Sequence, residues 1–335
     1  MDTETVPTSF TVDEDGDLIL LVGAGTRILV SSKAMTLASK VFKAMLSNST
    51  FKEGRELAES AAKNVPYELP LPDDDVHAMI VLCQVIHHQA RRIAVGTVTM
   101  ALLEQVAIVT NKYACGDVVG LASRSWLEQY DNDSGEDRIV AISHLLGNAE
   151  IFRSASRRVL MKSGGATIRT KVDPDSSLPD RVFDELETRR LAANYTVAVL
   201  IAEELDAMQQ GFPGLNFEHG RSRWDDQTPS TLYSQHDAER VQVFTQMMRE
   251  QVKWPLDLHR RSLNDTFDSL RAIANSVEVL AGEDDPLKVN CTACQTTIQD
   301  QVRTIMAKAD DLIKGLCLDC VQAPEGLGKD CRVQH

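Results

Sequence analysis

The most restrictive feature of the sequence is the order of its strand-like and helix-like segments. Two short aliphatic segments, 17–22 and Thr26–Val30, flank a Gly-Ala-Gly turn at 23–25, which is the pattern of a β-hairpin. From Ser32 onward the apolar residues recur at helical spacing, apart from a short predicted edge strand at Tyr67–Leu71. Strands mostly first and helices mostly after predict an α+β fold, with a small sheet capping a helical cluster.

The helices of the first part can be predicted from their apolar stripes and caps. One amphipathic helix is expected from Ser32 to Leu46, and its inward stripe consists of Met35, Leu37, Ala38, Val41, Phe42, Met45 and Leu46. Three further helices are predicted over 76–88, 98–113 and 118–130. The aspartates at 73–75 are expected to cap the first of them. Cys83 and Cys115 fall on inward faces and are expected to be buried packing residues.

Six segments in this order resemble a BTB/POZ domain: 17–20, 28–35, 37–45, 51–54, 69–75 and 102–113. The resemblance covers residues 17–130, and the whole chain resembles the filamentous-fungal proteins in which a divergent BTB unit precedes a helical region. It implies a BTB fold and self-association into a homodimer through the first strand–helix region. Ser32, His87 and the basic segment 89–97 depart from the pattern of animal BTB adaptors, and 89–97 lacks the motif through which many of them engage a cullin.

The rest of the chain is predicted to be mostly helical. The predicted organisation is an N-terminal tail at 1–16, the BTB-like domain at 17–130, a helical region at 131–285 and a cysteine-containing helical tail at 286–335. The helical region includes helical periodicity over 138–160, a long helix over 181–210 with Leu191 inside, and a mobile loop near 211–235.

Two Cys-x-x-Cys pairs, Cys291 with Cys294 and Cys317 with Cys320, are the strongest chemical signal in the chain. Short Cys-x-x-Cys loops bring two thiolates onto one tetrahedral zinc ion, so the four cysteines are candidate ligands of a structural zinc. The segment between the pairs has an uninterrupted helical stripe, and a straight helix over 296–314 would be about 28 Å long. A single four-cysteine site therefore requires that helix to break.

A second arrangement avoids this geometric problem. Cys317 and Cys320 would be joined by Cys331 and His335, leaving Cys291 and Cys294 apart. In a third interpretation no metal is bound, and the thiols of the tail are packing residues or are sensitive to oxidation. The sequence leaves all three open.

Composition excludes several classes of function. The chain has 335 residues and a formal net charge of -14, which disfavours binding to nucleic acid or to anionic lipid. No apolar segment reaches the roughly 20 residues of a membrane helix, and the start of the chain lacks a signal-peptide pattern. The expected location is the cytoplasm, the nucleus or both, where thiols stay reduced.

These observations favour a protein–protein interaction module with no catalytic role. Its expected partners are a second copy of the chain and an unidentified protein that docks on the helical region. The alternative is a substrate adaptor of a cullin-type ubiquitin ligase, and a pull-down with a recombinant fungal cullin distinguishes the two.

Overall fold

The protein is described from a computed structural model, which covers residues 8–47, 51–93, 96–130, 136–165, 168, 178–210, 235–255, 257–276, 292–323 and 331–333. A small sheet near the N-terminus is followed by helices, so the predicted α+β class is confirmed. The described residues form two compact units, one with residues up to Ser156, Leu178 and residues from Leu316 onward, the other with the remainder. None of the helices in these ranges is long and apolar enough to cross a bilayer.

The sheet of the first unit has four strands, β1 Ser9–Thr11, β2 Leu18–Val22, β3 Thr26–Val30 and β4 Tyr67–Leu71. Their order is β1-β3-β2-β4, with β2 antiparallel to β3 and with β4 parallel to β2. Gly23 and Gly25 have φ values of 57° and 111° in the hairpin turn, a conformation that glycine adopts without strain. The hairpin and the edge position of β4 agree with the sequence prediction.

The helices of this part of the chain are α1 Ser32–Ala38, α2 Lys40–Leu46, α3 Lys52–Ala62, α4 Val76–Ile86, α5 Met100–Lys112, α6 Gly116–Tyr130, α7 Glu136–Leu145 and α8 Ala149–Lys162. The prediction of one helix over 32–46 is wrong, because Ser39 has extended backbone angles between α1 and α2. Its hydroxyl accepts a hydrogen bond from Phe42 N at 2.9 Å and donates one to Tyr113 O at 2.5 Å. Ser39 therefore caps α2 and ties it to the end of α5.

The break also changes which residues of this segment are buried. Phe42 is fully buried, and its ring stacks on that of Tyr113 with centroids 4.5 Å apart. Leu37, predicted to face inward, is instead 80% exposed, because α1 ends one residue later and the helical phase restarts at α2. Helix α3 was not predicted from its polar sequence.

Two further details differ from the sequence expectations. Asp75 caps α4 by accepting from Ala78 N at 2.8 Å, but Asp74 is buried and accepts from Lys112 Nζ at 2.5 Å and from the Tyr113 hydroxyl. The helical periodicity predicted over 138–160 belongs to two helices, α7 and α8, separated at Gly147, whose φ of 70° ends α7.

The second unit is helical in its described part. After the end of α8 it contains α9 Asp180–Gln210, α10 Gln235–Met247, α11 Leu263–Ser276 and α12 Thr292–Leu312, and their apolar faces share one core. The long helix predicted over 181–210 is confirmed as α9, although Leu191 is exposed rather than inside. The loop predicted to be mobile, 211–235, lies outside the described residues except for Gln235.

Candidate metal centre

The C-terminal part of the first unit carries three cysteines. Helix α13, Leu318–Gln322, begins directly after Cys317, whose extended backbone places it at the N-cap, and Cys320 lies in the first turn. Cys331 follows along the chain and belongs to the same unit. Cys317 is buried, whereas Cys320 and Cys331 are partly exposed.

The three sulfur atoms lie close enough together to hold a metal ion. All lie within 4.8 Å of one another, and Cys320 Sγ is 3.6 Å from Cys331 Sγ. In a tetrahedral zinc site with Zn–S bonds of about 2.3 Å, neighbouring sulfur atoms are about 3.8 Å apart. The separation of Cys320 and Cys331 therefore fits two ligands of one zinc ion.

Contact between the thiols affects their ionisation. Burial and the neighbouring Cys320 and Cys317 side chains raise the pKa of the Cys331 thiol to about 12. A thiolate at Cys331 would lie beside the two other sulfur atoms, so burial and these neighbours favour its protonated form. A divalent cation between them would reverse this preference by compensating the negative charges.

Arg332 holds the two cysteine-bearing segments side by side. Its Nε and Nη2 donate to Asp319 Oδ1 at 2.9 and 2.7 Å, and its backbone N–H donates to Oδ2 at 2.8 Å. Asp319 stands between Cys317 and Cys320 in sequence, and Arg332 directly follows Cys331. The ion pair therefore fixes the backbone beside each of the three thiols.

The same segment is bonded to the helices α7 and α8. Arg332 Nη1 donates to Gly147 O at 2.7 Å in the α7–α8 turn, and Leu316 N donates to Ser156 Oγ at 2.8 Å. A longer contact of 3.4 Å joins Gln322 Nε2 to His144 O. The cysteine cluster is thus attached to the α7–α8 part of the first unit.

The structure brings together only some of the predicted ligands. Cys317 and Cys320 meet Cys331, the combination of the second sequence interpretation, although its fourth member, His335, lies outside the described residues. Cys291 and the side chain of Cys294 also lie outside them, so their participation stays a prediction. Helix α12 is continuous from Thr292 to Leu312, whereas a site shared by both Cys-x-x-Cys pairs needs a break there.

Sequence reasoning missed the roles of Asp319 and Arg332. The available signal was a pair of opposite charges, one inside Cys-Leu-Asp-Cys and one next to the following cysteine. The predicted inward positions of Cys83 and Cys115 are confirmed, since both are fully buried. Among the described residues, the group 317, 320 and 331 has metal-ligand proximity.

Comparison with known proteins adds no further assignment. Neither the scan against protein-family models nor the search of curated proteins found a match to this chain.

Proposed function

We propose that this chain is a protein–protein interaction module whose first unit resembles a BTB/POZ domain and associates with a second copy of itself. The order of its elements supports the proposal: a β-hairpin, a pair of short helices, a strand parallel to the first strand of the hairpin, and then helices. This order, which joins the six resembling sequence segments in one sheet and helix arrangement, is the observation that carries the proposal. No catalytic role is part of it.

We propose that the copies meet at an exposed apolar side chain of the first unit. Leu37 on α1 is 80% exposed, in the strand–helix region through which the BTB resemblance implies self-association. Covering such a side chain removes apolar area from water and favours association. Leu121 on α6 is 90% exposed and lies outside that region, so it provides a matched control.

Sedimentation of the full-length protein tests the proposal. The unmodified chain is expected to sediment as a dimer at micromolar concentration, and Leu37→Asp should weaken dimerisation about 30-fold or more, the effect of losing a central interface residue. Leu121→Asp should leave dimerisation unchanged. A folded monomer at high micromolar concentration, or equal effects of the two substitutions, would contradict the proposal.

The second unit is proposed to dock another, unidentified protein. Leu191 and Tyr195 on α9 are four residues apart, so they share one helix face, and both are exposed. A tyrosine next to an aliphatic side chain is typical of residues that anchor protein interfaces. In affinity purification, a partner protein that co-purifies with the unmodified chain should be lost from the Leu191→Asp/Tyr195→Asp variant. It should still co-purify with Leu312→Asp, a control on the exposed surface of α12.

We also propose that the metal of the three-cysteine cluster is a structural zinc ion, with His335 as the fourth ligand. Thiolate ligands favour zinc among the common divalent ions of proteins, and the sulfur spacing supports this choice. Reduced thiols favour a cytosolic or nuclear location, and none of the five cysteines with described side chains is in a disulfide.

Elemental analysis of protein purified without added metal tests the zinc proposal. About one zinc per chain is expected, and zinc should be lost in Cys331→Ser and retained in Cys291→Ser. Loss in Cys291→Ser with retention in Cys331→Ser would instead favour the site shared by both Cys-x-x-Cys pairs. Absence of zinc from the unmodified protein would contradict both versions.

A further inference from the structure

The contacts of Arg332 suggest a role beyond ordinary surface pairing. Three of its nitrogen atoms bind one carboxylate, that of Asp319, and a fourth binds the Gly147 carbonyl. Asp319 is 19% exposed and Arg332 53% exposed, so the pair is partly accessible to water. Partly exposed ion pairs contribute little stability on their own, and this pair alone cannot be expected to keep the segment ordered.

The geometry of the Arg332–Asp319 ion pair nevertheless defines which two segments of the chain it holds together. Nε and Nη2 of the guanidinium converge on Oδ1 and the Arg332 backbone N–H binds Oδ2, so both carboxylate oxygens are held by one residue, which a single hydrogen bond does not achieve. Here the two partners are Asp319, between Cys317 and Cys320, and Arg332, next to Cys331. The pair therefore joins the backbone next to Cys331 to the backbone between Cys317 and Cys320.

We propose that Arg332 is a positioning residue for the metal centre, and that metal binding at the three cysteines fastens the C-terminal segment to the α7–α8 turn. The inference rests on the proposed zinc site and concerns how that site is assembled and what its occupancy controls. Metal–thiolate bonds and the Arg332 contacts stabilise the same arrangement, so each strengthens the other through thermodynamic linkage. The C-terminal segment therefore acts as a latch: metal binding strengthens its contact with the α7–α8 turn, and metal removal weakens that contact.

A cobalt titration of the full-length, metal-free protein tests the positioning role. Cobalt(II) substitutes for zinc, and its thiolate absorption reports how many sulfur ligands are bound. Arg332→Ala should require about 10- to 100-fold more cobalt to reach half-saturation, the usual effect of losing a residue that orients a ligand. The spectrum at saturation should match that of the unmodified protein, because all three cysteines remain.

Three variants distinguish a positioning role of Arg332 from loss of a metal ligand and from a nonspecific effect of removing an arginine. Arg303→Ala removes an exposed arginine that pairs with Asp300 on α12, and it should bind cobalt as the unmodified protein does. Cys331→Ser should lose one thiolate from the spectrum, which distinguishes loss of a ligand from its misplacement. Asp319→Asn should reproduce the weaker binding of Arg332→Ala with a normal final spectrum.

Hydrogen exchange tests the latch itself. Adding zinc should slow amide exchange in residues 316–322 and in the α7–α8 turn around Gly147. In Arg332→Ala saturated with zinc, the slowing at 316–322 should persist and the slowing at the turn should be lost, since the contact with Gly147 O is absent.

The outcomes separate this inference from the zinc proposal. If the unmodified protein binds no metal, both are overturned. If it binds metal and Arg332→Ala binds it equally tightly, the zinc site stands and the positioning role is wrong. If metal leaves exchange around Gly147 unchanged, the latch is wrong even though the site exists.

Discussion

The first unit contains two groups of cysteines in contrasting environments. Cys83 on α4 and Cys115 after α5 are fully buried, and burial raises the pKa of both thiols, that of Cys115 to about 11. Cys320 and Cys331 lie partly at the surface, with their sulfur atoms within 4.8 Å of each other and of the buried Cys317, and beside an ion pair. Burial is the first cause of the raised thiol pKa at Cys83, Cys115 and Cys331, and at Cys331 the neighbouring Cys320 and Cys317 add to it.

The difference shows that burial by itself does not make a cysteine functional. Apolar surroundings keep Cys83 and Cys115 protonated and inaccessible, which are the properties of small hydrophobic core residues. In the tail, burial and the neighbouring sulfur atoms raise the pKa of Cys331, and a metal ion can replace its proton. Access to solvent and convergence of the thiols, rather than the size of a pKa shift, distinguish the candidate site from the core.

The largest effect is expected in thiol alkylation. In metal-free native protein, Cys320 should react with N-ethylmaleimide about 10⁴-fold faster than Cys83 and Cys115, because the buried pair becomes accessible only on unfolding, which costs about 5 kcal/mol or more. Cys331 should react more slowly than Cys320, because its raised pKa leaves little of the reactive thiolate. Mass spectrometry of peptides after timed labelling measures the rates. Zinc should protect the tail thiols alone, and similar rates at all four sites would remove the distinction.

The next effect concerns the core beside Cys115. Phe42→Ala removes a fully buried ring that stacks on Tyr113, and should lower the free energy of unfolding by about 3–5 kcal/mol. Urea denaturation measures it, and Phe51→Ala, at an exposed phenylalanine, should change stability by less than about 0.5 kcal/mol. Equal melting of Phe42→Ala and the unmodified protein would contradict the described core.

A smaller effect comes from replacing sulfur by oxygen in each group. Cys83→Ser buries a hydroxyl in an apolar core and should cost about 1–3 kcal/mol of stability. Cys331→Ser in the presence of a chelator should change stability by less than about 0.5 kcal/mol, since Cys331 is partly exposed. A larger loss from Cys331→Ser than from Cys83→Ser would reverse the comparison.

The smallest effect is a pH dependence at His144, whose backbone carbonyl accepts the contact from Gln322. Burial lowers the pKa of His144, and its Nδ1 has no hydrogen-bond partner. The unfolded chain therefore binds a proton more readily, and this residue should reduce stability as the pH falls below about 6.5.

Substitution of His144 should remove that contribution. In His144→Gln the decline of unfolding free energy with falling pH should be shallower, by at most about 1.4 kcal/mol per pH unit. Denaturation in urea at a series of pH values between 5 and 7.5, with chelator present, measures the slope. An unchanged slope would contradict a buried neutral imidazole.

An element of the fold could be predicted from the sequence when the residues that determine it lie close together along the chain. The hairpin, the edge strand with Pro70, and the helices α4, α5, α9 and α12 follow from apolar spacing and from turn residues within a few positions. The break at Ser39 did not follow, because the apolar stripe runs through it. The Ser39 hydroxyl bonds to Tyr113 O, 74 residues away in sequence, and no local pattern records that contact.

The same limit applies to the candidate site. Cys317 and Cys320 were identified from sequence because two thiols three positions apart can reach one ion by local geometry alone. The sequence by itself determined the fold class, most helices and these two candidate ligands, and it offered Cys331 only in one of three open arrangements. Only the tertiary structure placed Cys331 beside them and joined Asp319, Arg332 and the Gly147 carbonyl, because such contacts depend on how distant segments pack and not on their spacing along the chain.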